Sequence, residues 1–146
     1  MGETPIPWAI LELVKTRLGT VRKANGFRTD AGRDVRLEPS PFDPSDAPRL
    51  TLYPLTTLYP DDARSAGERG YTFVVEALVP ARIDNAQQRI VETIADIEDA
   101  LDGFVQVPLA LPLQFQESVL LDRPDGLAAM AGQVIFGTRY RREAPR

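Results

Sequence analysis

The chain contains no histidine and no cysteine. That removes the side chains most often used for proton transfer near neutral pH, thiolate attack and zinc ligation. Carboxylates, hydroxyls, guanidinium groups and two lysines are left to do chemistry. Lys15 and Lys23 both fall on the first predicted helix, outside any S-x-x-K setting, and no G-x-S-x-G occurs. A phosphate-cradling loop is absent too. The glycine-rich piece Gly67-Glu68-Arg69-Gly70 lacks the Lys-Ser/Thr of a P-loop and opens no helix, so it reads as a hairpin loop. Asp61-Asp62 continues as Ala-Arg-Ser-Ala instead of alternating oxygen ligands, which fits a solvated loop tip. Glu92, Asp96 and Asp99 stand at i, i+4 and i+7, one face of a helix. Like charges at that spacing repel mildly, so the reading is a solvated or partner-facing stripe rather than a metal site. Arg139, Arg141 and Arg142 end the last predicted strand. They suit guarding a sheet edge or meeting carboxylates. As a nucleic-acid patch they are thin, with Tyr140 the one interleaved aromatic. No catalytic residue, metal or cofactor is expected.

With 17 Lys+Arg against 21 Asp+Glu the formal net charge is −4, which argues against nucleic acid as the main partner. The charge is segregated. Residues 1–36 carry +3, residues 37–104 carry −8, and the basic tail 139–146 carries +3. Basic ends around an acidic middle suit contact between copies or with a differently charged neighbour. The 146 residues make one domain, able to bury about two-thirds of its unfolded surface without a disulfide or metal. No apolar run approaches the ~18 residues of a membrane span, and no signal-peptide pattern opens the chain.

These residues must be positioned by two helices and five strands. Ile6, Ile10, Leu13, Val14, Leu18 and Val21 recur at spacings of three and four, predicting a helix over 6–24 stopped by Asn25-Gly26. Strands are predicted at 35–37, 50–55 and 71–79, with a proline-rich loop at 39–48 and a long polar loop at 59–70. Ala86, Ile90, Ile94, Ile97 and Leu101 mark a second helix over 85–102, with Asp84 and Gln87 at capping-box spacing and Gly103 as its stop. Residues 105–112 read as irregular. A final strand pair at 115–121 and 133–140 flanks the turn 122–126. The implied fold is α+β: a mostly antiparallel or mixed sheet with two helices on one face.

Some stretches exceed what generic folding asks for. The first helix leads into Asn25-Gly26-Phe27-Arg28-Thr29-Asp30-Ala31-Gly32, followed by Val35. Pro48-Arg49-Leu50-Thr51-Leu52-Tyr53, then Ala95-Asp96-Ile97-Glu98-Asp99-Ala100-Leu101, then Val134, Phe136 and Tyr140-Arg141 follow in order. This series resembles the tail terminator (tail completion) proteins of long-tailed bacteriophages. The Asn25–Gly32 stretch also has a plain physical reading as a corner. Asn25 and Gly26 tolerate positive φ, and Thr29 or Asp30 can cap local N–H groups.

The resemblance implies a structural virion protein without catalytic activity. It would form a ring, typically hexameric, at the head-proximal end of the tail tube. There it would end tube polymerisation and meet the head-completion proteins. Its implied partners are its own copies, the tube subunit and the head-completion proteins, with no membrane. The competing readings are a small enzyme or ligand-binding domain using carboxylate or arginine chemistry, which a strongly raised carboxylate pKa would favour, and a tail-derived secretion-machine component. Arg64, Glu68 and Arg69 are expected contact residues on a mobile loop. Glu92, Asp96 and Asp99 are expected to face Arg139, Arg141 and Arg142 of a neighbour.

Overall fold

The computed structural model describes residues 3–38, 48–80, 85–106, 109–121 and 129–142. Helix α1 spans Ile6–Leu18, with Pro5 as N-cap and Pro7 in the first turn, where a missing N–H costs nothing. Its buried stripe is Ile10, Leu11, Val14 and Leu18. The helix stops six residues earlier than the periodicity predicts. Gly19 caps it, and the Thr20 hydroxyl turns back to the Arg17 carbonyl. Val21 stays in the core, but its carbonyl accepts from Gly32 N–H at 2.9 Å instead of continuing the helix. Asn25-Gly26 therefore ends a separate 3-10 turn, Lys23–Asn25, with Gly26 at φ 92°.

The sheet has five strands in the order β1-β2-β3-β5-β4. These are β1 (Val35–Arg36), β2 (Arg49–Leu58), β3 (Glu68–Pro80), β4 (Gln114–Leu120) and β5 (Ala129–Arg141). β1 runs parallel to β2 and all other pairs are antiparallel. Leu58 pairs with Gly70, so the hairpin loop is 59–67, shorter than predicted, and Glu68, Arg69 and Gly70 are strand. The long β3–β5 ladder runs from Glu68↔Arg141 to Pro80↔Ala129. Alternation along it sends Tyr71, Phe73, Val75 and Ala77, with Val134, Phe136 and Tyr140, to the core face. Phe73 and Phe136 stack across the ladder, centroids 5.9 Å apart.

Helix α2 spans Ala86–Leu101 and buries Ile90, Ile97 and Leu101. It crosses the sheet closely at Gly132, where an added Cβ would sit 2.8 Å from the Ile94 side chain. Its N-cap Asn85 makes no side-chain cap bond; the Asp84 cap, the loop 39–47 and the turn 122–128 lie outside the described residues. Past Asp102, Gly103 at φ 77° reverses the chain, and its N–H meets the Leu113 carbonyl. Residues 104–106 and 109–113 are irregular apart from a Gln106↔Ala110 bridge. Both helices share one core with the sheet, and the class is α+β. Among the described residues no helix is long and apolar enough to cross a membrane.

Candidate functional site

Two assemblies of polar side chains stand out. The first is the corner after α1. Asp96, on α2, is fully buried. Its Oδ2 accepts from Thr29 N–H and Thr29 Oγ1, both at 2.8 Å. Its Oδ1 accepts from Arg28 N–H at 3.1 Å and from the Arg28 guanidinium at 3.0 Å. That guanidinium also donates to Asp99 at 2.7 Å; the bonds to Asp99 and then Asp96 hold the Arg28 pKa above its ordinary value. From the other side Asp30 accepts Lys23 N–H at 2.9 Å, and this bond lowers its carboxyl pKa. A buried carboxylate is tolerated because its lone pairs are filled. The arrangement is a structural clamp that ties the corner to α2.

The second is one end of the sheet, where β2 ends, β3 begins and β5 finishes. The guanidinium of Arg139 reaches Asp62 at 2.7 Å and lies 3.8 Å from Glu68. Glu68 in turn accepts Arg64 N–H at 2.9 Å, and Arg142 N–H donates to the Gly67 carbonyl at 2.7 Å. Arg69 stands over the Tyr59 ring at 5.8 Å. Around these lie Leu55, Leu58, Tyr59 and Leu111, each more than half exposed. Between β2 and the 111–116 segment runs an open groove of about 320 Å³, with Gly70, Thr72 and Gly137 among its lining residues. Tyrosine and arginine are residue types enriched at protein contacts, and the exposed leucines add apolar surface beside them.

The structure thus brings Arg64, Glu68, Arg69, Arg139, Arg141 and Arg142 to one end of the sheet and leaves Glu92, Asp96 and Asp99 on α2. The predicted acidic contact face needs correction. Asp96 is inside the protomer, held by the Arg28–Thr29 backbone, and Asp99 is already paired with Arg28. An open three-carboxylate stripe is therefore not available to a neighbour. Arg139 is in strand β5, while Arg141 and Arg142 are exposed. The apolar rim at Leu55, Leu58, Tyr59 and Leu111 escaped the sequence reading; Leu58 proves to be the last residue of β2, with Tyr59 directly after it.

Carboxylates whose pKa shifts, Asp30 and Asp62, move downward. Tyr71, buried in the core with no hydrogen-bond partner for its hydroxyl, is pushed up to about 12 by burial, away from use as a base. Among the described residues no three His, Cys, Asp or Glu side chains gather as a ligand set.

The Arg139 bond lowers the Asp62 pKa. Its contribution is therefore present at neutral pH and is lost as pH falls through the depressed value. Arg139→Ala should raise amide exchange in the 61–67 loop at neutral pH by roughly fivefold at most, as for an exposed pair. Acid should do the same to the unmodified protein once intrinsic exchange rates are divided out. Unchanged exchange in both experiments would mean that the backbone bond from Arg142 holds this loop alone.

No protein-family model matches the chain, and no curated protein matches it. Among solved structures it is similar to a chain from the virion of a native gene transfer agent particle. The identity is 19% over 75% of this chain and 80% of that one, with a TM-score of 0.54; the two share a fold. A second solved chain, 16% identical, is matched over 93% of this chain and 98% of that one at a TM-score of 0.44.

Proposed function

We propose that this chain is a structural protein of a phage-like virion: a tail terminator. Its copies form a ring, hexameric by the family resemblance, on the head-proximal end of the tail tube. The ring stops tube growth because its far face does not repeat the surface that tube subunits recognise. That face receives the head-completion proteins instead. Such a ring is a heterologous, closing association, and the chain works in the virion, assembling with its own copies and the tube.

The observation that carries the reading is the fold held in common with a virion chain over three-quarters of this sequence. Two features support it. The segments resembling the family at 25–32 and 95–101 are distant in sequence, yet Asp96 bonds them directly. The groups at the sheet end, exposed Tyr59 with Arg69 over its ring, suit protein contact.

The test is electron microscopy and mass measurement of the purified protein, alone at high concentration and with isolated tail tubes. Rings with a central opening, and tubes that stop growing once capped, are expected. A protein that stays monomeric in both settings would sink the reading.

A further inference from the structure

Among the described residues the sheet has two open edges. Strand β1 is two residues long and covers β2 only at Leu50 and Thr51. Beyond it, Tyr53–Leu58 pairs with β3 on one side, and among the described residues no strand lies on the other. Residues 54–58 are exposed and carry no charge. At the far edge, among the described residues, β4 pairs with β5 alone, and five of its seven residues are exposed. Its single charge is Glu117. Unpaired N–H and C=O groups on such edges are a template for another strand.

We infer that adjoining copies of this chain join edge to edge, the free half of β2 on one copy pairing antiparallel with β4 on the next. This rests on the ring proposed above and names the contact that closes it. Direction fits the symmetry. β2 and β5 run one way, β3 and β4 the other. Rotation about an axis along the strands keeps each direction, so β4 of one copy meets β2 of the next antiparallel all round a cyclic ring. The surfaces fit as well. Leu55 and Leu58 on one edge are 52% and 51% exposed, and Leu120 and Leu121 on the other are 47% and 38% exposed. Pairing covers apolar side chains on both sides and sets no like charges opposite each other.

Bulges at Pro54/Thr56 and Phe115/Glu117 interrupt the edges. They leave short regular runs, Thr56–Leu58 and Glu117–Leu120, of nearly equal length. The hydrogen-bond phase on β4 is visible. Leu121 N–H reaches the Ala131 carbonyl, so by alternation Val119 also turns to β5 while Ser118 and Leu120 turn their N–H groups outward.

The absence of native cysteine makes the test direct. The full chain carries Thr57→Cys on β2 and one cysteine on β4, walked over Glu117, Ser118 and Val119 to cover the register. It is assembled into rings with tail tubes and oxidised. Facing positions in an antiparallel pair lie about 4.5–5.5 Å apart, within disulfide reach. At least one double variant should give a ladder of covalent oligomers extending beyond the dimer, and each single variant should stay monomeric.

Separately, Ser118→Pro removes an outward N–H that β5 does not use, so the fold should persist by circular dichroism. The concentration needed for rings should rise about fivefold or more, the worth of one hydrogen bond. If this variant does not fold, the cross-linking decides alone. Rings of the unmodified protein with no cross-linked double variant, or a folded Ser118→Pro protein assembling normally, would overturn the edge contact and leave the ring reading standing. Ser118→Cys alone forming dimers would show β4 pairing with itself and overturn it too. If the unmodified protein forms no rings, both fall together.

Discussion

Asp96→Ala should destabilise the fold by about 3 kcal/mol, the largest loss expected from removing any one polar side chain here. The carboxylate is fully buried and accepts four hydrogen bonds. Its removal leaves Thr29, itself 3% exposed, with an N–H and a hydroxyl lacking their acceptor, and each orphaned buried group costs about 1–3 kcal/mol. The total stays near the lower end of the ~3–5 kcal/mol for breaking a buried pair, because the Arg28 side chain is 48% exposed and returns to water. At ~2–4 °C per kcal/mol for a domain of this size, the melting temperature should fall by about 10 °C. Asp96→Asn keeps the shape and one good acceptor and should lose roughly half as much. Asp99→Ala, on the exposed partner of the same arginine, should barely change stability. Thermal melts of the three variants decide it. If Asp96→Ala and Asp99→Ala melt alike, the buried clamp does not hold the corner.

Gly32→Ala should cost about as much by a different route. A Cβ at Gly32 would lie 2.3 Å from the Leu18 carbonyl oxygen and 2.8 Å from that of Val21. Both are main-chain atoms, one in the last residue of α1 and one just past it, so no side chain can swing aside. The corner must lift off the helix, losing the Gly32 N–H bond to Val21. Overpacking against a rigid neighbour costs about 1–3 kcal/mol, and the lost bond adds about 1 kcal/mol, so roughly 3 kcal/mol is expected. Gly26→Ala is the control. No atom lies within 4 Å of its Cβ position, but φ is 92°, so its penalty is conformational, about 1–2 kcal/mol. Denaturant midpoints at unchanged slope should separate the two. A Gly32→Ala midpoint equal to that of Gly26→Ala would show that the corner has slack.

Gly32 lies in the stretch that the sequence picked out as a corner and Asp96 in the stripe it read as solvated or partner-facing; the structure supplies the neighbours of both. Periodicity identified both helices because buried positions recur on one stripe, as Ile90, Ile97 and Leu101 do on α2. It overran α1 because Val21 is buried and in phase, while the turn at Gly19 depends on Gly32 taking the Val21 carbonyl. The strands 71–79 and 133–140 were legible as β-rich runs. Their true lengths follow from pairing Glu68 with Arg141 and Leu58 with Gly70, contacts between residues far apart in the chain. At the sheet end, charged residues announced themselves by type. The exposed leucines did not, because an apolar residue in a strand is read as core until its pairing is known.

Composition and short-range periodicity are enough to give the α+β class, the absence of histidine and cysteine chemistry, and the residue types available for contact. Tertiary structure decided which of those residues are free to make contact. Glu92, Asp96 and Asp99 are equivalent by spacing on a helix, and helical spacing says which residues share a face, not what covers it. Asp96 became internal because a corner 67 residues away in sequence aims two backbone N–H groups, a hydroxyl and a guanidinium at it. Their hydrogen bonds replace those the carboxylate gives up to leave water.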